Sequence, residues 1–263
     1  MVVLHGGPGA HHEYLLPQLL FLAESRDCLL YDQRGGGRSK TDDRTPITWH
    51  THVDDLRAVL AECAPGPLTL VGYSWGALLA LLYTMEAAAS RAGPMPARLV
   101  LLDPAPASRA FRARFEAEFA RRQAGPEVQA LRAALEASGL RDHDPAAYRQ
   151  RTFELSVAGY FADPARARPH AVPRDRPGAA IHLGVARRLR PPADAADAAR
   201  ADARGARTAG SNPARIRGGD RRRARCGALL LDDCGHVPYV EQPAALREAV
   251  SAFLDATEGL VTG

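Results

Sequence analysis

Short apolar runs along the chain alternate with stretches in which apolar residues recur every three or four positions. The runs predict buried strands at 2–4, 28–31, 68–71, 99–102 and 228–231. The periodic stretches predict helices at 14–22, 53–63, 77–89, 127–138, 145–158 and 244–256. Because predicted strands and helices alternate along the chain, the pattern predicts an α/β fold with a mostly parallel sheet and helices on both faces.

The alternation is interrupted after the fourth strand. Residues 106–167 contain helix patterns alone, and Phe111, Phe115 and Phe119 recur at a spacing that places them on one helix face. We therefore interpret 1–105 and 226–263 as two parts of one α/β core, with 106–167 as a helical insert between them.

A G-x-S-x-G motif, Gly72-Tyr73-Ser74-Trp75-Gly76, stands between a predicted strand and a predicted helix. In this context the turn raises the serine hydroxyl above the sheet, and the glycines leave room for the strained backbone. Ser74 is therefore the candidate nucleophile. The simpler alternative is a glycine- and serine-rich turn without chemistry.

Two further loops extend this hypothesis. The loop His5-Gly6-Gly7-Pro8-Gly9 follows the first strand, and one of its N–H groups could join that of Trp75 to bind an oxyanion. A plain turn is the alternative, and phosphate binding is disfavoured because no dinucleotide or P-loop pattern is present. His236 follows the last predicted strand, so it comes after the serine as the base of an α/β-hydrolase triad does.

Four motifs in this order, HGGPG, YDQRGGGRS, GYSWG and GHVPYVEQP, resemble those of the prolyl iminopeptidase group of α/β-hydrolases. The match covers residues 2–106 and 227–256. The resemblance implies an α/β-hydrolase fold with 106–167 as its helical cap. It also implies Ser74 as nucleophile, His236 as base, and Gly7 with Trp75 as oxyanion donors. Cap acids would bind the free amine of the substrate, and the candidates are Glu116, Glu118 and Glu154.

The sequence departs from this family in two places. Two strands that precede HGGPG in the family are missing, so we expect one sheet edge to be exposed. The triad acid of the family falls near residues 210–211, where neither a strand nor a suitable Asp occurs. Asp103, at the end of a predicted strand, is a possible substitute, although the sequence favours a residue that caps the next turn. Weaker candidates are Asp202, Asp220 and Asp232.

The missing acid coincides with an abnormal segment, residues 168–225. It holds 15 Arg and 5 Asp without any Phe, Trp or Tyr, so it carries a charge of +10 while the rest of the chain sums to −6. A shift of one base in the reading frame permits the string L-V-V-H-G-x-x-D-x-I-P-L over residues 203–215, which matches the acid-bearing loop of the family. We hypothesise a frame-disrupted region with one late strand lost. A natural Arg- and Ala-rich linker or disordered insert is the alternative.

Composition narrows the remaining possibilities. The chain lacks a run of about 18 apolar residues and a signal-peptide pattern, which predicts a cytoplasmic protein without membrane contact. No C-x-x-C pair occurs, and we expect neither a metal nor a cofactor. Since the basic excess is confined to one aromatic-free segment, a nucleic-acid partner is disfavoured.

The function expected from the sequence is a serine hydrolase that releases N-terminal proline, or a similar residue, from small peptides. Two alternatives stay open: an esterase-type hydrolase acting on another small molecule, and a truncated, frame-disrupted chain without activity. An epoxide hydrolase is disfavoured because it would carry Asp at position 74.

Overall fold

The computed structural model describes residues 1–63, 66–167, 181–183 and 227–258, with the backbone alone at 181–183. A five-stranded sheet forms its centre, in the order β4-β3-β1-β2-β5, and every neighbouring pair is parallel. The strands are β1 Val2–Leu4, β2 Cys28–Leu30, β3 Thr69–Tyr73, β4 Arg98–Leu102 and β5 Ile181–Leu183. The predicted α/β fold with a mostly parallel sheet is confirmed.

Helices connect and cover these strands. The α-helices of the core are α1 Leu16–Leu19, α2 Trp49–Cys63, α3 Trp75–Ser90, α8 Pro238–Glu241 and α9 Pro243–Glu258. Those of the insert are α4 Arg109–Gln123, α5 Pro126–Ala137, α6 Leu140–His143 and α7 Pro145–Ser156. Short 3₁₀ turns occupy His12–Leu15, Leu20–Ala23, Ala158–Tyr160 and Pro164–Arg166. Within the described ranges, no helix is both long and apolar enough to cross a bilayer.

The strands are mainly apolar, as expected for a parallel sheet that helices cover on both faces. All residues of β1 and β3 are buried, and Leu4, Leu70 and Val71 have no exposed side-chain surface. On the flanking helices, Leu56 and Leu254 point into this core. The buried sheet therefore gives a fixed frame for the loops at its carboxyl ends.

Two predicted elements are wrong. The helix expected at 14–22 is divided into 3₁₀, α and 3₁₀ turns, with Pro17 in the first turn of α1, where its ring offers no backbone N–H. Residues 228–231 form no strand, and Leu229 and Leu230 are 56% and 91% exposed. A strand needs a paired neighbour, and in the described part of the chain none stands beside the outer edge of β4.

One element lies inside the abnormal segment. β5 pairs with β2 in the register Cys28↔Ile181. The strand that covers the outer edge of β2 therefore comes from the abnormal segment, residues 168–225. Among the described residues, 1–63, 66–167, 181–183 and 231–258 belong to one compact unit, which contains all five strands. The shifted-frame string at 203–215 falls outside the described residues.

Candidate active site

Three loops meet at one edge of the sheet. Strands β1, β3 and β4 are parallel neighbours, so their carboxyl ends point the same way. The chain leaves β1 at His5, β3 at Ser74 and β4 at Asp103. In open α/β sheets this edge is where functional loops collect.

Ser74 occupies a strained turn between β3 and α3. Its backbone angles are φ 52° and ψ −116°, a region that L-residues rarely enter. The turn exists because its neighbours lack side chains. A Cβ on Gly72 would lie 2.4 Å from the carbonyl oxygen of Gly76, and one on Gly76 would lie 2.2 Å from that of Leu4. The motif therefore forms the strained strand-to-helix turn that the sequence predicts.

The imidazole of His236 lies between Ser74 and Asp103. Ser74 Oγ is 2.9 Å from His236 Nε2, and His236 Nδ1 hydrogen-bonds Oδ2 of Asp103. The His236 side chain is 10% exposed, whereas the Asp103 side chain is 44% exposed. A hydroxyl, an imidazole and a carboxylate in this order can activate the hydroxyl as a nucleophile.

Asp103 is placed by the link between its turn and the serine turn. Ser74 N donates to the carbonyl oxygen of Leu102 at 2.9 Å, and Ala105 N donates to that of Ser74 at 3.0 Å. Asp103 itself has φ 42°, a positive value that is uncommon for a residue other than glycine and that Ser74 also has. The sequence favoured a turn-capping role for Asp103, but its carboxylate contacts the His236 ring.

The other candidate acids lie elsewhere. Asp232 sits in an exposed turn, where its backbone carbonyl accepts a hydrogen bond from the side chain of Gln242. Asp202 and Asp220 lie outside the described residues. Among the residues that the structure describes, no group of three or more His, Cys, Asp or Glu could hold a metal ion.

Aromatic rings surround the His236 imidazole. The ring centroids of Phe115, Tyr160 and Tyr73 lie 4.9, 5.2 and 5.4 Å from that of His236. The backbone is also held, because His236 N donates to the Tyr160 carbonyl and the Tyr73 hydroxyl donates to the His236 carbonyl. Phe115 belongs to the predicted aromatic face of α4. No pattern in the sequence indicated Tyr160.

Glu241 is a buried carboxylate near this histidine. It is 4% exposed and accepts hydrogen bonds from the backbone N–H groups of Gly235, Ala162 and Asp163, at 2.7, 2.8 and 3.2 Å. One side chain thus joins the loop that carries His236 to the loop that carries Tyr160. This role of Glu241 was not predicted, although the residue lies within the GHVPYVEQP motif.

The loop after β1 approaches the start of α3. Gly7 has φ 58°, and the N–H of Gly6 donates to the Tyr14 hydroxyl at 2.7 Å, while burial raises the pKa of that hydroxyl. Trp75 is the first residue of α3, so its N–H has no acceptor within the helix. The two residues predicted as oxyanion donors, Gly7 and Trp75, therefore lie at the same sheet edge as Ser74.

A model of the Alpha/beta hydrolase family matches residues 1–249. The chain belongs to the alpha/beta hydrolase family. The predicted fold class and the expectation of a hydrolase are confirmed.

Curated relatives of this hydrolase include two proteins named Proline iminopeptidase. That of Lactobacillus crispatus (strain ST1) is 39% identical over 90 residues, which are 33% of this chain and 30% of the relative. That of Levilactobacillus brevis is 42% identical over 91 residues, 33% of this chain and 29% of the relative. The resemblance to the prolyl iminopeptidase group is confirmed, and the matched part of the hydrolase spans about 30% of the length of these relatives.

Solved structures similar to this hydrolase include the crystal structure of Proline iminopeptidase from Mycobacterium smegmatis. It is 27% identical with a TM-score of 0.39, and the match covers 58% of this chain and 50% of that one. The crystal structure of VinJ is 29% identical with a TM-score of 0.39, covering 59% and 49%.

In the hydrolase, two of the three candidate amine-binding acids are already paired. Glu118 is partly exposed and accepts hydrogen bonds from Arg121 and Arg122, which lower its pKa to about 2. Glu154 is buried and forms an ion pair with Arg151 at 2.7 Å. Glu116 is exposed on α4.

Proposed function

We propose that this chain is a serine hydrolase that releases N-terminal proline, or a similar residue, from peptides through an acyl-enzyme on Ser74. The observation that carries the proposal is the His236 imidazole bonded to Ser74 Oγ on one side and to Asp103 on the other. The substrate class comes from the relatives named Proline iminopeptidase.

In the acylation half of the mechanism, Ser74 Oγ attacks the carbonyl carbon of the scissile bond while His236 Nε2 takes the hydroxyl proton. The Asp103 carboxylate accepts a hydrogen bond from Nδ1–H of His236. This bond fixes the tautomer of the imidazole and stabilises the imidazolium. The N–H groups of Gly7 and Trp75 bind the negative oxygen of the tetrahedral adduct. His236 then gives its proton to the amine, which leaves as the shortened peptide.

Deacylation repeats these steps with water in place of the serine. His236 takes a proton from the water as its oxygen attacks the acyl carbonyl, and it returns this proton to Ser74 Oγ when the acid is released. No outside electron donor or acceptor is required. The aromatic rings that surround His236 reduce access of bulk water to the imidazole.

An esterase-type hydrolase is the second candidate function. It is favoured by the arginine partners of Glu118 and Glu154, because a carboxylate that is already neutralised binds a substrate amine weakly. An ester with a neutral acyl group has no need of such an acid.

Labelling with a fluorophosphonate probe tests the serine mechanism. We expect the wild-type chain to be labelled and Ser74→Ala to lose the label. The matched control is Ser90→Ala at the end of α3, whose hydroxyl donates to the Glu86 carbonyl and accepts from the Ala92 N–H. This variant should label like wild type. Absence of labelling in folded wild-type protein would instead identify a catalytically inactive chain.

Substrate comparison separates the two active candidates. Prolyl p-nitroanilide carries a free amine, N-acetylprolyl p-nitroanilide lacks it, and p-nitrophenyl acetate is a simple ester. Iminopeptidase activity requires the first to be cleaved much faster than the second. Cleavage of the ester alone would assign the esterase function.

A further inference from the structure

We propose that Gln33 is a positioning residue that holds the two arms of the oxyanion hole at a fixed separation. Gln33 follows β2 and is 1% exposed, so it is fully enclosed although it carries a polar amide. It takes no part in the mechanism above. The inference rests on the proposed function, since it assigns a role in the same site.

The side-chain amide of Gln33 joins two loops. Its Nε2 donates to the carbonyl oxygen of His5 at 2.8 Å, and its Oε1 accepts from the indole Nε1 of Trp75 at 2.8 Å. His5 opens the loop that contains Gly7, and Trp75 is itself the residue that provides the second N–H. A single planar group therefore spans the two segments that bind the oxyanion.

Hydrogen-bond chemistry permits only one orientation of this amide. An indole nitrogen can only donate and a backbone carbonyl can only accept. If the amide were reversed, its NH₂ would face the Trp75 indole N–H and its oxygen would face the His5 carbonyl. The bridge is therefore directional, and a side chain that lacks either the donor or the acceptor cannot replace it.

A second contact fixes Gln33 itself. The backbone N–H of Gln33 donates to His5 Nε2 at 3.0 Å, while His5 Nδ1 donates to the Gly6 carbonyl at 2.9 Å. This pattern requires neutral imidazole with its proton on Nδ1. Burial, which lowers the pKa of His5, favours the same neutral form. His5 and Gln33 thus hold each other through both backbone and side chain.

The geometry of an oxyanion hole makes such a bridge important. Its donors must lie about 2.7–3.1 Å from the position that the negative oxygen takes in the transition state. Removal of one such donor lowers kcat by about 10²- to 10³-fold. Displacement of a donor without its removal should cost less, and it should act on the transition state more than on substrate binding.

Two substitutions remove the bridge from opposite ends. Gln33→Met keeps the length of the side chain without its hydrogen bonds, and Trp75→Phe removes the indole N–H but keeps the backbone N–H. For each we expect kcat to fall by about 10- to 100-fold with KM within about twofold of wild type. The double variant should lose little more than Gln33→Met alone, because both changes break one connection.

The matched control is Tyr83→Phe, which removes one buried hydrogen bond to the Pro94 carbonyl on another part of the core. Its kcat should stay near wild type. Affinity for a boronic acid, whose tetrahedral adduct places an oxygen in the oxyanion hole, should fall with kcat in the Gln33 and Trp75 variants and not in Tyr83→Phe.

Several results would overturn the inference. One is an unchanged kcat and boronic acid affinity in folded Gln33→Met. Another is an equal loss in Tyr83→Phe. If Gln33→Met does not fold, Trp75→Phe decides alone, and wild-type kinetics there would refute the bridge. Ser74→Ala separates the two levels: if it keeps full activity, the proposed function itself fails, whereas a dead Ser74→Ala beside a fully active Gln33→Met rejects only the role of Gln33.

Discussion

Nδ1 of His236 hydrogen-bonds Oδ2 of Asp103, a residue 133 positions earlier in the chain. Asp103 directly follows β4, the strand next to β3, whereas the resemblance would place the acid after a later strand. The carboxylate approaches the imidazole from the strand beside the nucleophile. The sequence leaves this arrangement open because a strand-end aspartate has other uses.

Asp103→Asn tests this carboxylate as the triad acid. The amide keeps the size of the side chain but cannot stabilise the imidazolium, so we expect kcat to fall by at least about 10²-fold and up to about 10⁴-fold. The measurement is steady-state kinetics on the best substrate. Asp232→Asn, in a nearby exposed turn, is the control and should stay within about twofold of wild type. Equal rates in both variants would show that Asp103 is not the acid.

Gly76→Ala tests the backbone contact that forms the serine turn. The added Cβ would lie 2.2 Å from the Leu4 carbonyl oxygen, and neither backbone can move without disturbing β1 or α3. We expect the free energy of unfolding to fall by more than about 3 kcal/mol, measured by urea titration. Gly66→Ala, where the added Cβ meets nothing within 4 Å, should stay close to wild type. A stable Gly76→Ala protein would contradict this account of the turn.

Glu241→Gln tests the buried clamp between the His236 and Tyr160 loops. The carboxylate of Glu241 now accepts from three backbone N–H groups on both of its oxygens. The amide of Gln would place an NH₂ group against at least one of these donors and leave that donor without an acceptor. We therefore expect the free energy of unfolding to fall by about 2 kcal/mol. Because the clamp holds the loop of His236, kcat should fall as well. Glu248→Gln, exposed on α9, serves as the control. Wild-type stability of Glu241→Gln would argue against the clamp.

The pH dependence of stability follows from two buried histidines. Burial lowers the pKa of His5 and of His52 below the ordinary 6.5. As the pH falls below about 6.5, these two histidines become protonated in the unfolded chain while they stay neutral in the folded chain. The free energy of unfolding therefore decreases as the pH falls through this range. Urea unfolding at pH 7.5 and 5.5 should show this loss, and His5→Gln and His52→Gln should each reduce it. An identical loss in wild type and both variants would assign it to other groups.

Motifs with fixed local geometry could be predicted from the sequence. The turn at Ser74 depends on neighbouring glycines and on the order strand, turn, helix, all of which are local. His236 was found because it follows the other motifs in the order of an α/β-hydrolase. The parallel sheet followed from alternating apolar runs, which the pairing of β1 with both β2 and β3 confirms.

Features that depend on contacts between distant segments could not be predicted. Residues 228–231 are apolar enough for a strand, but a strand also needs a second strand to pair with. A short apolar run does not show whether such a strand lies beside it. Glu241 and Gln33 both lie within motifs that were recognised in the sequence. Their roles depend on backbone groups of distant segments, and only the structure shows that these groups lie within hydrogen-bond distance.

The hydrogen bonds between the turns after β3 and β4 also have a consequence for the order in which the site is assembled. A chain emerges from the ribosome from its N-terminus, and early segments begin to fold while later ones are still being made. Ser74 and Asp103 directly follow two neighbouring paired strands that are both complete by residue 103, whereas His236 is added 133 residues later. A nascent chain can thus hold the proposed nucleophile and the proposed acid in place while it still lacks the proposed base. It remains inert in the proposed reaction until His236 has been added.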